Sequence, residues 1–155
     1  MSGTFENLNV PPTLVSFAVA TVDADKIISP EFKSAGHKIY IVDCPRDEFQ
    51  IPNFRELRKK FTTVNSHISA GKVVAAMSIG VGGIAEAISK MAVGNDIGFK
   101  FAEEVHLFEK NYGSLILEAA PNVTLDFDEL GIGFCRVLGN FGAVRNDNQK
   151  FGNFN

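Results

Sequence analysis

Cysteine and tryptophan are scarce in this chain of 155 residues, which has no tryptophan and only two cysteines, Cys44 and Cys135. The two cysteines lie far apart and form no Cys-x-x-Cys pair, which excludes the usual pattern of a zinc or dithiol redox site. The first residues also lack the basic-then-apolar pattern of a secretory signal peptide. We therefore expect a cytoplasmic protein with reduced thiols.

An excess of positive charge and a long apolar run are both missing. The chain has 15 Lys and Arg residues against 18 Asp and Glu residues, for a net charge of −3. Proteins that bind nucleic acid generally carry a basic surface, so no nucleic-acid partner is expected. No apolar run approaches the ~18 residues that a membrane-spanning helix needs, so no membrane partner is expected either.

Two glycine-based phosphate motifs are incomplete. Gly71-Lys72-Val73 lacks the hydroxyl residue that ends a P-loop, and it precedes a predicted strand instead of following one. Glycines 80 and 82 with Ala85 fit the looser form of the dinucleotide motif. That motif also needs an acidic residue at the end of a following strand, and the acids at the right distance, Glu103 and Glu104, begin a predicted helix instead. Neither motif assigns a cofactor.

Metal-binding and acid–base patterns are also lacking. His37, His67 and His106 show no spacing typical of metal ligands, so surface or packing roles are expected. The carboxylates Asp126 and Asp128 stand two residues apart in a predicted turn, where such side chains usually cap the backbone. Glu86 is the carboxylate nearest the central glycine turn, and we expect a solvated helix position for it.

What is present is the composition of one ordinary domain, with 45% hydrophobic and 21% charged residues. Residues 1–12 are polar and end in Pro11-Pro12, which indicates a tail or linker. Residues 13–155 are expected to form a single α/β domain. The proline-rich start and the asparagine-rich end suggest a domain cut from a longer multidomain polypeptide.

Apolar periodicity predicts strands that alternate with helices, and some strands follow one another directly. We expect an α/β sandwich with a mixed sheet. The predicted helices and helical turns are Phe54–Ser69, Ile84–Val93, Glu103–Asn111, a short turn after Asp23 and another over Asp126–Glu129. The predicted strands are Leu14–Val22, Gly36–Asp43, Lys72–Met77, Ile97–Phe101, Ser114–Ala119 and Gly133–Leu138, with a weak edge strand or tail at Asn146–Asn155.

The stretch from Gly71 to Phe101 organises the rest of the chain. A strand enters the glycine turn at residues 80–83, and the turn opens a helix. Glycines let a ligand approach the backbone, and the first turn of a helix offers unpaired N–H donors with a partial positive charge. The turn is therefore a candidate ligand site, although tight turns between strand and helix also carry glycine for packing alone.

Three segments of the chain resemble a known enzyme family. They are PPTLVSFAVATVDADKIISPEF at 11–32, GKVVAAMSIGVGGIAEAISKMAVGNDIGFKF at 71–101 and LFEKNYGSLILEA at 107–119. Together they resemble the C-terminal domain shared by phosphoribosylformylglycinamidine synthase and aminoimidazole ribonucleotide synthetase. The resemblance covers about Val10 to Leu138 and is strongest to the second copy of that domain in the long, single-chain synthase.

The resemblance implies a three-layer α/β/α sandwich that packs beside an ATP-binding domain of the same polypeptide. The whole enzyme would convert formylglycinamide ribonucleotide to the amidine in purine biosynthesis. It would use ATP, magnesium and ammonia that a separate glutaminase domain releases from glutamine. The catalytic histidine and most metal-binding acids of the family lie outside the matching domain, so no catalytic or metal-binding residue is expected in this chain.

The glycine turn departs from the family pattern. Family members carry His-Asp and Ser-Asp pairs just before the double glycine, whereas Met77-Ser78 and Gly80-Val81 stand there in this sequence. Without those acids the turn cannot ligate Mg²⁺ as the family does, because hard cations prefer carboxylate oxygens. Backbone contacts to a phosphate remain feasible. The predicted nucleotide- or substrate-binding residues are Gly82 and Gly83, with Ser78 as a weaker candidate, in a degenerate half-site.

Two other functions stay open at this point. The chain could belong to aminoimidazole ribonucleotide synthetase or to another ATP-dependent synthetase with the same fold. It could instead be a non-catalytic scaffold or dimerisation module, because the acids before the double glycine are missing and one predicted strand has a face of small residues. A homodimer is compatible with either function.

Overall fold

The computed structural model describes residues 3–102 and 104–135. Its two helices are α1 (Phe54–Ser69) and α2 (Gly83–Val93), and a short 3-10 turn covers Ala24–Lys26. The strands are β1 (Gly3–Phe5), β2 (Leu8–Val10), β3 (Lys38–Val42), β4 (Val73–Ser78), β5 (Ile97–Phe101), β6 (Leu115–Ala119) and β7 (Asp128–Cys135).

Five strands form the main sheet, in the order β4-β6-β3-β7-β5. Every described pairing between these strands is antiparallel. The expectation of a mixed sheet is therefore wrong in this respect. Neighbouring strands in the sheet are not consecutive in the chain: β3, β4 and β5 run in one direction, and β6 and β7 lie between them and run in the other. Strands β1 and β2 form a separate antiparallel hairpin within the predicted tail.

The sheet is the middle of three layers. Alternate residues of β3 face opposite sides: Ile39 joins one buried cluster with Ala87 and Met91 of α2, whereas Tyr40 joins another with Val64 of α1. Since side chains alternate across a strand, each face of the sheet receives one helix. The predicted α/β/α sandwich is confirmed. No helix among the described residues is long and apolar enough to cross a bilayer.

Most of the predicted elements are present close to their predicted bounds. Helix α1 occupies the predicted residues, and its cap is the Asn53 side chain, which accepts a hydrogen bond from the N–H of Glu56 at 3.2 Å. Strand β5 also has its predicted bounds, and the 3-10 turn follows Asp23 as expected, without a side-chain cap. The predicted end of the last strand and the segment Asn146–Asn155 lie outside the described residues.

Three predicted elements are wrong. Leu14–Val22 is not a strand, Glu104–Asn111 forms turns instead of a helix, and Asp128 and Glu129 begin strand β7 instead of ending a helical turn. In the last case the tertiary pairing decides the conformation, because Asp128 and Glu129 pair with Ile41 and Tyr40 of β3. Sheet pairing of this kind overrides local propensity.

The segment 14–22 has no regular secondary structure and is exposed. Leu14, Phe17 and Val19 are 96%, 88% and 94% exposed, and Val15 and Val22 are also largely exposed. Val15, Phe17 and Val19 alternate as in a strand, but no described strand pairs with them. The alternation predicted a strand here, and that prediction is wrong because the segment has no pairing partner among the described strands.

Candidate functional site

The predicted site residues lie together at one edge of the sheet. Ser78 is the last residue of β4 and is exposed, Gly82 precedes α2 as its N-cap, and Gly83 is the first residue of the helix. Gly83 has a φ of +67°, a conformation that L side chains rarely adopt. Its N–H donates to the carbonyl of Gly80 at 3.2 Å, which closes the turn on itself.

A second reason for glycine at position 83 is the loop that crosses it. A Cβ atom at Gly83 would lie 2.5 Å from the backbone oxygen of Leu107 and 2.9 Å from that of Glu109. The same Leu107 oxygen accepts a hydrogen bond from the N–H of Ala85 at 3.0 Å. The glycine turn is therefore shaped by close packing of the 107–109 backbone as well as by its own conformation.

Glu86 folds back over the glycine turn. Its Oε2 accepts the N–H of Gly82 at 2.8 Å, and its other carboxylate oxygen pairs with the ammonium group of Lys90. The Lys90 hydrogen bond, followed by the Gly82 N–H, holds the pKa of Glu86 below its ordinary value. The expectation of a simple solvated position is wrong for this residue, because the carboxylate caps the helix start, where negative charge is favourable.

These contacts use the backbone donors that an anionic ligand would need. The N–H groups of Gly82, Gly83 and Ala85 donate to Glu86, Gly80 and Leu107 respectively. The carboxylate of Glu86 also places a negative charge at the turn. A phosphate group that contacts Gly82 must therefore replace this hydrogen bond with one of its own.

A cavity of about 440 Å³ lies beside the turn. It is lined by His106, Leu107, Phe108 and Glu109, the same loop whose backbone crosses Gly83. The Phe108 side chain is 75% exposed there. An exposed aromatic ring next to a glycine turn offers a flat apolar surface, which suits contact with a planar ligand group.

The described residues contain no cluster of three or more His, Cys, Asp or Glu side chains that could hold a metal ion. The three histidines stay apart: His37 bonds to Glu118, His67 makes an edge contact with Phe127 at 6.1 Å between ring centroids, and His106 lines the cavity beside the turn. The residues at 77, 78, 80 and 81 bring no carboxylate to the turn.

Sequence reasoning missed Glu118. This residue lies in β6, is fully buried, and bonds to residues more than eighty positions earlier in the chain. The signal was available, since Glu118 is the one charged residue in the apolar run Leu115–Ala119. A charged side chain within a buried strand requires partners, although the sequence does not name them.

Comparison with known proteins found likeness in structure only. No family model matches the chain. No curated protein matches it. Among solved structures, T. maritima PurL complexed with ATP superposes with a TM-score of 0.58 and 15% identity, over 74% of this chain and 24% of that one. T. maritima PurL complexed with AMPPCP superposes with a TM-score of 0.51 and 17% identity, over 64% and 20%.

A third structure, T. maritima PurL complexed with FGAR, superposes with a TM-score of 0.51 and 14% identity, over 63% of this chain and 22% of that one. The chain thus spans about a fifth to a quarter of the length of the solved chains it matches. Identities this low establish the fold and leave the activity to be argued separately. The chain has the α/β/α fold of a domain of PurL, which is an FGAM synthase, as the sequence resemblance predicted.

Proposed function

We propose that this chain is one domain of a phosphoribosylformylglycinamidine synthase. The parent enzyme would be an ATP-dependent carbon–nitrogen ligase that amidates formylglycinamide ribonucleotide with glutamine-derived ammonia. The observation that carries the proposal is the agreement of the sequence resemblance with the fold. Three sequence segments resemble this family, and the fold is that of a domain of T. maritima PurL, which has been solved complexed with ATP and with FGAR.

The chain's own role in this proposal is to line a nucleotide or substrate cleft without supplying a catalytic residue. Gly82, Gly83 and Ser78 are the proposed contacts, because they lie at the same edge of the sheet beside the exposed Phe108 ring. A phosphate would replace Glu86 as the hydrogen-bond acceptor of the Gly82 N–H. Lys90 would remain the partner of the released Glu86 carboxylate. In this exchange the Glu86 carboxylate keeps its counter-charge.

The rest of the reaction belongs to other parts of the proposed polypeptide. ATP and Mg²⁺ would be held mainly by the neighbouring ATP-binding domain, since the turn has no carboxylate at residues 77–81. A glutaminase domain would supply ammonia. In this proposal residues 1–12 are a linker, residues 13–155 are the domain, and the enzyme acts in the cytoplasm.

A second candidate function is a non-catalytic scaffold or dimerisation module. Two observations favour it: the Glu86 carboxylate already occupies the Gly82 N–H, and the apolar segment 14–22 is exposed. Exposed contiguous apolar residues commonly mark protein–protein contacts. This candidate predicts a stable dimer that is indifferent to nucleotides.

A titration with nucleotide separates the two candidates. In a ¹⁵N-labelled sample of the chain, MgATP and formylglycinamide ribonucleotide should produce saturable shifts of the Gly82 and Gly83 amide signals. Ser78→Ala should weaken binding a few-fold, roughly the effect of one hydrogen bond. The matched control is Ser89→Ala, because Ser89 is an exposed serine on α2 that faces no proposed contact.

The absence of any saturable shift, together with a dimer in sedimentation, would favour the scaffold. The native size of the polypeptide gives a second test that does not depend on ligand affinity. An antibody against this chain should detect a band far above 16.8 kDa in the source cells if the chain is a domain of the synthase. A band near 16.8 kDa would mean that the domain acts alone, and the synthase proposal would then fail.

A further inference from the structure

A buried carboxylate and a histidine form a pair at the other end of the sheet. Glu118 of β6 is 0% exposed, and its carboxylate accepts hydrogen bonds from the N–H of Lys33 at 2.7 Å and the N–H of Ser34 at 3.2 Å. The third partner is Nδ1 of His37, at 2.7 Å. This group takes no part in the site proposed above.

Glu118 determines which nitrogen of His37 is available. Both carboxylate oxygens already accept backbone N–H groups, so the short contact places a hydrogen on Nδ1 of His37, and in the neutral imidazole the lone pair then lies on Nε2. No described residue makes a hydrogen bond to that second nitrogen. The His37 side chain is 11% exposed, so it is held in place and still reaches the surface. A histidine oriented by a carboxylate in this way is a well-positioned hydrogen-bond acceptor.

His37 lines a cavity of about 280 Å³. The cavity lies between the start of β3 and the loop that follows β6, and its lining residues are Gly36, His37, Lys38, Ala120, Pro121, Asn122, Val123 and Thr124. This end of β6 is remote from the glycine turn: Ala119 pairs with Val73, at the start of β4, whereas Leu115 pairs with Ser78, at its end. The volume is near the lower limit for pockets that hold small molecules.

The charges around the cavity favour a neutral ligand. The ammonium group of Lys38 lies 2.7 Å from Glu129, and this contact raises the pKa of Lys38 above its ordinary value. Behind His37 lies the carboxylate of Glu118. The lining therefore offers no positive charge without a counter-charge, which argues against a phosphate or a free carboxylate as the ligand.

The polar groups match a molecule with several hydroxyl groups. Nε2 of His37 accepts a hydrogen bond, the Asn122 amide both donates and accepts, and the Thr124 hydroxyl does the same. Pro121 and Val123 add apolar surface of the kind that packs against the C–H face of a sugar ring. We propose that this cavity is a second binding site, for a small neutral sugar or polyol, with His37 as its oriented acceptor.

Ribose and glycerol are suitable probes, and the three histidines provide an internal control. In the full chain with ¹⁵N-labelled histidine at mildly alkaline pH, the His37 ring should show hydrogen on Nδ1 and none on Nε2. Added ribose should shift the His37 Nε2 signal in a saturable way and leave the signals of His67 and His106 unchanged. Glycerol should act more weakly, because it offers fewer hydroxyl groups.

Variants of the lining test the contacts without removing the histidine. Asn122→Ala or Thr124→Val should weaken ribose binding roughly three- to tenfold, the effect of one hydrogen bond. The control is Thr63→Val, an exposed threonine on α1 outside the cavity, which should leave binding unchanged.

Two results would overturn the proposal. If ribose moves no histidine signal, or moves all three alike, Glu118 and His37 serve only to anchor residues 33–37 to the sheet. If hydrogen is found on Nε2, the proposed acceptor does not exist. This site is separate from the glycine turn, so the titration decides it independently of the nucleotide experiment.

Discussion

The carboxylate of Glu86 lies over the glycine turn that begins its own helix, with Oε2 2.8 Å from the backbone nitrogen of Gly82. The approach is close enough that a Cβ atom at Gly82 would lie 2.6 Å from the Cβ of Glu86. Glycine at position 82 therefore makes room for a carboxylate of the same chain. The first turn of α2 supplies its own anion.

Lys90 should control the ionisation of Glu86. The Lys90 hydrogen bond is the largest cause of the lowered pKa, so Lys90→Met should raise the pKa of Glu86 toward the ordinary value of 4.5, with the Gly82 N–H leaving it somewhat lowered. The pKa of Glu86 is lower in the folded protein than in the unfolded chain. The ionised carboxylate therefore stabilises the fold fully when the pH is above the ordinary pKa, and this stabilisation is lost as the pH falls through the lowered pKa. Carboxyl-carbon NMR during an acid titration measures the Glu86 midpoint in the wild type and in Lys90→Met.

Lys110→Met is the control for that titration, because Lys110 is exposed and does not contact Glu86. It should leave the Glu86 midpoint unchanged. Equal midpoints in the wild type and in Lys90→Met would contradict the pairing.

Gly83→Ala should destabilise the fold strongly. A left-handed conformation costs an L residue about 1–2 kcal/mol, and the new Cβ would also lie 2.5 Å from the Leu107 oxygen. Gly71→Ala is the matched control, because Gly71 has a φ of +68° but a Cβ atom there would meet no other atom within 4 Å. Urea unfolding should show a loss of about 1 kcal/mol for Gly71→Ala and at least about 2 kcal/mol more for Gly83→Ala. Equal losses of stability in the two variants would mean that the 107–109 loop moves away and accommodates the new Cβ atom.

Glu118→Gln should cost about 2 kcal/mol or more in the free energy of unfolding. The amide keeps the shape of the side chain, but it brings a donor against one of the donors on Lys33, Ser34 and His37. Glu129→Gln removes the partner of Lys38 at the surface and should cost less than about 1 kcal/mol. Denaturant unfolding of both variants gives the comparison, and a similar small loss in both would show that Glu118 is not a critical anchor.

Val19→Ser should leave the free energy of unfolding within about 0.5 kcal/mol of the wild type, because the Val19 side chain is 94% exposed. The matched control is Val42→Ser, since Val42 of β3 is 1% exposed and its replacement should cost about 2–4 kcal/mol. Thermal unfolding measures both. A large loss for Val19→Ser would show that segment 14–22 contributes to the folded domain.

The same segment should promote association. Phe17→Ser combined with Val19→Ser removes two of the exposed apolar side chains, so self-association in sedimentation should fall. The control is Phe49→Ser, which replaces a largely exposed phenylalanine in another loop and should have no such effect. Unchanged self-association in the double variant would show that segment 14–22 is not part of an interface.

Sequence patterns predicted correctly the elements that are stabilised by contacts between residues close together in the chain. Phe54–Ser69 shows apolar spacing at helical period and an Asn53 cap, and it is a helix over those residues. Segment 14–22 shows the period of a strand and is not one, because a strand also needs a neighbour, which a period of two does not supply. Asp128 and Glu129 look like turn residues by composition, and pairing with β3 makes them a strand.

By itself, the sequence determined the glycine turn, the helix after it and the alternation of apolar residues that gives the sheet two buried faces. Only the tertiary structure decided that Glu118 meets His37, 81 positions away, and that every described strand of the main sheet is antiparallel to its neighbours. Turn and helix geometry depend on contacts within a few residues, which sequence spacing reports directly. A buried hydrogen-bonded pair and a strand order depend on which distant segments come together, and no local spacing records that choice.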